Sequence, residues 1–232
     1  MKINKAVILS AGFGKRLNPL TLSVPKSLLK IGSKTLLANT IDIIEQLGIT
    51  EIVINTHHLA KQIDSFILQN KFKAKVTTIN ENKNILDTGG GILNAISQFK
   101  NESFFVLNPD TIWSVEYLNE LEKMENVFFS NDCKGVLLIV NKNRSFDKSF
   151  KGDFNLNGKI INRNAKLKKF IYTGAQILSK EAFNDHSIGT FSVNKIWDQL
   201  ISKNLLLGEE SMQAFLHVGT LENYKKISKR KF

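Results

Sequence analysis

The chain has little proline and almost no cysteine, three and one residues respectively out of 232. A lone cysteine, Cys133, can neither close an internal disulfide nor build a cysteine metal cluster, and nothing around it activates the thiol. It is expected to be a small buried residue. No stretch is rich in Pro, Gly or Ser, and no internal repeat occurs, so no linker is visible and residues 1–232 are expected to form one domain. No apolar run approaches the roughly 20 residues needed to cross a bilayer. The opening Met1-Lys2-Ile3-Asn4-Lys5 leads into a strand-like segment rather than a signal peptide, so a cytoplasmic protein without a membrane partner is expected. A paired-histidine zinc motif, a nucleophile elbow and the kinase motifs are all absent. The adjacent His57 and His58 are expected to point opposite ways on a strand or turn.

What is present is ordinary for a folded protein: 42% hydrophobic and 23% charged residues, a balance that supports a full core. Lys and Arg total 32 against 21 Asp and Glu, a formal charge of +11. Such an excess attracts nucleic acid, anionic membrane or small polyanionic substrates. The densest cationic cluster, Lys225, Lys226, Lys229, Arg230 and Lys231, suits the C-terminus of a helix. A nucleic-acid-binding module would need a cationic face with interleaved aromatics or a reader motif. Neither is visible, so no nucleic-acid partner is expected.

Apolar runs suited to buried strands occur at Ala6–Leu9, Ile52–Ile54, Phe104–Leu107 and Val136–Val140, with helical patterns between the first three. The helices are expected at Lys34–Gln46, stopped by Gly48, at Ala60–Leu68, and from the triplet Gly89-Gly90-Gly91 onward. Beyond Asn141 a hairpin is expected at Asn155–Gly158, a strand at Lys169–Ser179 and a helix at Val193–Ser202. This alternation predicts an α/β fold, a Rossmann-like, doubly wound, mostly parallel sheet in a three-layer α/β/α arrangement.

The segment Leu9–Leu29, LSAGFGKRLNPLTLSVPKSLL, follows the first strand, where a doubly wound sheet opens its ligand crevice. Gly12 and Gly14 permit a close backbone approach to phosphate oxygens, and Lys15 and Arg16 add cationic donors. Neither the Walker spacing nor the full G-x-G-x-x-G is present, and a lone G-x-G is weak evidence. Asp110, in Asn108-Pro109-Asp110, stands at the carboxyl end of the strand Phe104–Leu107. A carboxylate there can hold Mg²⁺, or simply form a turn or cap the next helix. Asp87-Thr88-Gly89-Gly90-Gly91 offers free N–H groups at a helix start, and also fits a plain helix-entry turn.

Taken together, A-G-x-G-x-R-L-x-P-L-T…P-K from Ala11 to Lys26 resembles the signature of the sugar-phosphate nucleotidyltransferases, also called sugar-nucleotide pyrophosphorylases. Asn108-Pro109-Asp110 resembles that family's [NG]-x-D metal motif, and Asp87–Ile92 its [ED]-T-G-G-G-[IV] element. Gly152-Asp153-Phe154 and Tyr172-Thr173-Gly174 resemble its G-D-F and [YF]-T-G elements at the sugar and its phosphate. The resemblance implies a fold of the nucleotide-diphospho-sugar transferase type, with residues 1–140 as a nucleotide-binding half and 141–232 as a sugar-binding half. It implies that Ala11, Gly12, Gly14, Lys15, Arg16, Lys26, Thr88 and Gly89 bind the nucleotide and that Asn108, Gly152, Asp153, Thr173 and Gly174 bind the sugar phosphate. Arg16, Lys26 and Asp110 would carry the catalysis, with Mg²⁺ on Asp110.

The order of motifs is closest to the branch of N-acetylmuramate-1-phosphate uridylyltransferases and mannose-1-phosphate guanylyltransferases. The implied substrates are a nucleoside triphosphate, UTP favoured, and a sugar 1-phosphate, in a monomer or homodimer. A non-catalytic nucleotide-sugar-binding regulatory subunit is the alternative of another class. One departure stands out: the family often has a second metal-binding aspartate before V-G-T, whereas this chain reads Leu216-His217-Val218-Gly219-Thr220. Imidazole suits Mg²⁺ poorly, so His217 is expected to bond a metal-bound water or phosphate, or to cap the strand, rather than to ligate.

Overall fold

The computed structural model describes residues 2–81, 84–100, 102–164 and 166–230. Its strands are β1 (Lys5–Ser10), β2 (Lys30–Ile31), β3 (Lys34–Thr35), β4 (Glu51–Thr56), β5 (Lys75–Asn80) and β6 (Ser103–Leu107), followed by β7 (Gly135–Asn141), β8 (Asn155–Asn157), β9 (Ile160–Asn162), β10 (Phe170–Ser179) and β11 (Leu206–Ser211). The helices are α1 (Leu36–Leu47), α2 (Ala60–Gln69), α3 (Asp87–Ala95), α4 (Tyr117–Ser130), α5 (Asn194–Ser202) and α6 (Leu221–Ser228). Nine strands form one sheet in the order β5-β4-β1-β6-β10-β7-β11-β9-β8. The pairs β1–β4, β1–β6, β4–β5 and β7–β11 are parallel, while β10 runs antiparallel between β6 and β7.

The near-continuous apolar strands follow from burial on both faces. On one face Ile8, Ile52 and Phe105 pack against Leu37 and Ile41 of α1, Ile63 of α2 and Met124 of α4. On the other, Val7, Val53 and Val106 pack against Ile92 of α3 and Ile196 and Trp197 of α5. Alternate residues of each strand therefore serve different helix layers, as the side-chain period of a strand requires. The layered, mostly parallel architecture is the one the sequence predicted.

Several boundaries differ from expectation for local reasons. Helix α1 starts at Leu36 rather than Lys34, because the Thr35 hydroxyl caps it by accepting from the Ala38 amide at 3.0 Å while Lys34 and Thr35 pair with β2. Gly48 ends it in a left-handed conformation at φ 98°. Helix α3 begins at Asp87, two residues ahead of the glycine triplet. Strands β5 and β11 and helix α4 were not expected. The first two combine apolar and polar residues without clean alternation, and α4 mixes its apolar stripe with buried Glu120 and Glu125. Cys133 is buried, and burial pushes its thiol up to about 11, which keeps it an inert core residue. Lys225 and Lys226 lie in the last turn of α6, where the helix dipole favours them; Lys231 and Met1 lie outside the described residues.

Candidate active site

The carboxyl ends of β1 and β6 are neighbours because β1 pairs with both β4 and β6. Their following loops open on one cavity of about 380 Å³ whose wall includes Ala11, Gly12, Gly14, Lys15, Arg16 and Lys26 from the first loop, and Asn108 and Asp110 from the second. The residues read from two separate motifs thus meet in one place. The Gly12 and Gly14 amides make no hydrogen bond to the described residues, and Arg16 has no ion-pair partner among them, which leaves this loop an unspent set of donors for an anion. Gly14 is obligatory: at φ +64° a Cβ would stand 2.9 Å from Thr21 Cγ2 and 3.2 Å from Lys26 Cβ. The loop is held in that shape by Thr21, whose hydroxyl donates to the Gly14 carbonyl at 2.9 Å.

Lys26 and Asp110 are ion-paired through Nζ and Oδ2. His217 Nε2 lies 3.2 Å from the same Oδ2. A short antiparallel bridge sets this histidine opposite Thr111, with the Val218 amide donating to the Asp110 carbonyl at 2.7 Å. Its ring stacks on Phe215 at 5.8 Å and meets Phe150 edge-on at 5.6 Å. Gly219 makes room for it, since a Cβ there would come within 2.7 Å of the imidazole. Burial alone would raise the Asp110 carboxyl pKa, but the Lys26 ammonium and the His217 ring outweigh it and hold the group far below the usual carboxylate range. Asp110 is therefore ionised.

The other carboxylate oxygen, Asp110 Oδ1, is buried without a hydrogen-bond partner. An orphaned, ionised oxygen at the rim of an anion cavity is the donor that Mg²⁺ takes, so the residues fit that ion. No cluster of three His, Cys, Asp or Glu side chains occurs among the described residues. Asp110 would hold the ion with substrate phosphates completing its shell. His217 spends its Nε2 on Asp110 itself, a contact the sequence did not suggest.

Other expected site residues separate into those the cavities use and those they do not. Thr88 lines the first cavity, although its hydroxyl accepts from the Val193 amide at 2.9 Å. Gly89 does not: its amide donates to the Phe191 carbonyl at 2.9 Å, and the Gly90 amide to the same oxygen at 3.0 Å. The triplet is thus not a set of free N–H groups. It is a close-packing site, where a Cβ on Gly89 would meet the Phe191 ring at 2.4 Å and one on Gly90 the Gly189 carbonyl oxygen at 1.9 Å. Because that carbonyl is backbone, Gly90→Ala is expected to destabilise the fold by about 1–3 kcal/mol, measured as a lower urea midpoint with unchanged slope.

Asn108, Asp153, Thr173 and Gly174 line a second cavity of about 200 Å³, which shares Asn108 and Asp110 with the first. Asp153 Oδ2 accepts from the Tyr172 amide at 3.0 Å. The Thr173 hydroxyl is spent on the Leu138 carbonyl at 2.8 Å. Gly174, at φ +98°, sits where β10 loses register with β7, and its carbonyl accepts from the Asn108 amide at 2.7 Å. Gly152 is outside both cavity walls and shapes a turn at φ +92°, where a Cβ would stand 2.5 Å from the Lys168 carbonyl oxygen. His57 and His58 do not diverge: both rings contact Phe13, at 5.5 and 5.4 Å, and His58 Nε2 lies 2.7 Å from the Thr21 carbonyl oxygen.

Sequence reading missed three residues on these walls. Asn55 and Glu81 line the first cavity, joined by Asn55 Nδ2 donating to Glu81 Oε1 at 2.6 Å, and a Cβ on Gly91 would fall within 2.6 Å of both. Arg163 lines the second, beside Tyr172 of the [YF]-T-G element. None of the three carries a motif spacing; the residue types alone gave no signal.

A glycine-rich anion loop and a strand-end carboxylate on one crevice of a mostly parallel sheet define a nucleotidyltransferase, and residues 5–146 match the Nucleotidyl transferase family. The chain belongs to that family and is a sugar-1-phosphate nucleotidyltransferase. It is 25% identical to N-acetylmuramate alpha-1-phosphate uridylyltransferase of Caulobacter vibrioides over 220 residues, covering 92% of this chain and 91% of that enzyme. It is 36% identical to a probable mannose-1-phosphate guanylyltransferase of Oryza sativa over 113 residues, 47% of this chain and 31% of the rice protein.

Among solved structures, HddC of Yersinia pseudotuberculosis complexed with GMP-PN superposes with a TM-score of 0.75 at 26% identity, covering 98% and 99% of the two chains. The UDP-glucose pyrophosphorylase of Acinetobacter baumanii has a TM-score of 0.77 at 16% identity over 97% and 92%, a likeness of fold. Enzymes of the family generally use a divalent metal, a nucleoside triphosphate and a sugar 1-phosphate. Among the described residues no helix is long and apolar enough to cross a membrane.

Proposed function

We propose that the chain transfers UMP from UTP to N-acetylmuramate 1-phosphate, giving UDP-N-acetylmuramate and pyrophosphate in cell-wall recycling in the cytoplasm. The observation that carries this reading is the near end-to-end match to the Caulobacter uridylyltransferase. A second reading, transfer from GTP to mannose 1-phosphate or a similar sugar, is favoured by the higher identity of the rice guanylyltransferase over about half the chain. A pyrophosphate-release screen of four nucleoside triphosphates against a panel of sugar 1-phosphates with Mg²⁺ separates the two. UTP with N-acetylmuramate 1-phosphate is expected to give the highest kcat/KM; a GTP and mannose 1-phosphate optimum would replace the first reading with the second.

In this mechanism the glycine loop and Arg16 bind the β- and γ-phosphates. Lys26 is held against the α-phosphate by its pairing with Asp110. The loop around Asn108 and Gly174 seats the acceptor, so that the two cavities meeting at Asp110 divide the chain into a nucleotide half (1–140) and a sugar half (141–232) of one domain. The acceptor phosphate oxygen attacks the α-phosphorus in line; the new P–O bond forms as the bond to pyrophosphate breaks, and both electrons of that bond leave with pyrophosphate. Lys26 and Arg16 offset the charge that develops on the α-phosphate and the leaving group. A divalent ion held by Asp110 supplies further charge neutralisation when bound. No covalent enzyme intermediate is needed.

A further inference from the structure

Among the described residues, Arg163 is the one Lys or Arg side chain on the wall of the second cavity. It follows β9 directly and lies outside every element of the family resemblance. Its guanidinium is fixed by face and by edge. The Cζ atom lies 4.6 Å from the centre of the Phe154 ring and 5.4 Å from that of Trp197, within the range of a cation–π contact. Nη1 donates to Asp198 Oδ1 at 2.8 Å and Nη2 to Asn194 Oδ1, both on α5. The remaining N–H groups of this five-donor fork have no partner among the described residues.

The pairing with Asp198 does not account for this arrangement. The Asp198 side chain is 62% exposed, against 23% for Arg163, and an ion pair open to solvent contributes little to stability. A cation on the outer surface would make the same pair without lining a cavity. What the wall holds is a planar cation with aromatic rings at its face and spare donors at its edge, the geometry that receives a carboxylate through two N–H bonds. Asp110 and Asp153, on the same wall, oppose a further anion. A carboxylate entering with the acceptor therefore finds its counter-charge at Arg163.

We infer that Arg163 receives a carboxylate carried on the sugar ring of the acceptor and selects acidic sugar 1-phosphates over neutral ones. The inference rests on the proposed transfer to a sugar 1-phosphate and narrows its acceptor. Arg163 and Tyr172 both contact Trp197, so the guanidinium stands beside the [YF]-T-G element and meets a substituent of the ring rather than its phosphate. N-acetylmuramate differs from N-acetylglucosamine by a lactyl ether that carries such a carboxylate. Arg163 is the residue that tells the two apart.

Arg163→Met removes the fork and keeps an apolar stem against the Phe154 and Trp197 rings. Turnover is followed as pyrophosphate release from UTP with N-acetylmuramate 1-phosphate and with its lactyl amide, which lacks only the charge. The wild type is expected to favour the acid about 10- to 100-fold in kcat/KM, the usual effect of a charge-assisted hydrogen bond. The variant is expected to lose that preference and to keep its activity toward the amide within about threefold, since the amide makes no ion pair to lose. Arg163→Lys, which retains the charge without the fork, is expected to fall between the two. A second pair, glucuronate 1-phosphate and glucose 1-phosphate, tests a carboxylate placed on a different sugar. An acid preference in this pair alone, lost in Arg163→Met, leaves the role standing and overturns the N-acetylmuramate assignment. Equal use of acid and neutral partner by the wild type in both pairs, an acid preference that survives Arg163→Met, or an equal loss toward acid and amide in both variants overturns the role and leaves the transfer activity intact. A wild type that transfers only to another sugar, such as mannose 1-phosphate, overturns both.

Discussion

Lys26→Met is expected to lower turnover about 100- to 1000-fold, the usual effect of deleting one contact made to the transition state. Methionine keeps the length and apolar stem of the side chain and removes only the charge, so the loss reports the ammonium. The ion pair with Asp110 complicates the measurement in a useful way. Both partners are mostly shielded, with side-chain exposures of 19% and 18%, and removing one member of such a pair leaves the other charge poorly compensated. His217 remains on Asp110 Oδ2, so the destabilisation is expected to stay below about 3 kcal/mol. The double variant Lys26→Met/Asp110→Asn is expected to regain thermal stability while turnover stays lost. If turnover returns together with stability, neither Lys26 nor Asp110 takes part in the chemistry. Near-normal kcat in the single variant would remove its role altogether.

Asp110→Asn is expected to cost a similar factor in kcat, about 100- to 1000-fold, for a different reason. Asparagine preserves the shape of the side chain and its reach to Lys26, but its neutral amide is a much weaker partner for a divalent cation than an ionised carboxylate. The readout that isolates this is Mn²⁺ binding in the presence of UTP, followed by the electron paramagnetic resonance of the free ion. Weaker Mn²⁺ binding by the variant, with unchanged UTP binding in the absence of metal, is expected. Equal Mn²⁺ affinity in the two proteins would take the ion away from Asp110, whatever happened to turnover. The fit rests on one orphaned oxygen, Oδ1, because Oδ2 is already shared by Lys26 and His217.

How much of this was legible beforehand depends on whether a residue acts through its own type or through its surroundings. Gly12, Gly14, Lys26 and Asp110 act through type and through position after a strand, and both are written in the chain. The glycine triplet shows the limit of such reading. A missing side chain can serve a ligand or a neighbour, and only packing distinguishes them; at Gly89 and Gly90 the neighbour is the segment carrying Gly189 and Phe191, a hundred residues downstream. Asn55, Glu81 and Arg163 were invisible because nothing in their local pattern separates a cavity wall from a core.

The order of apolar runs, the caps and stops of the helices and the phosphate-loop chemistry were determined by the amino-acid sequence itself, since each depends on residues within one or two turns of one another. The tertiary structure alone decided that β10 enters antiparallel between β6 and β7, for hydrophobic periodicity has the same form in either strand direction. It also decided that His217 would meet Asp110, because that contact joins residues 107 positions apart through a bridge that no local preference specifies.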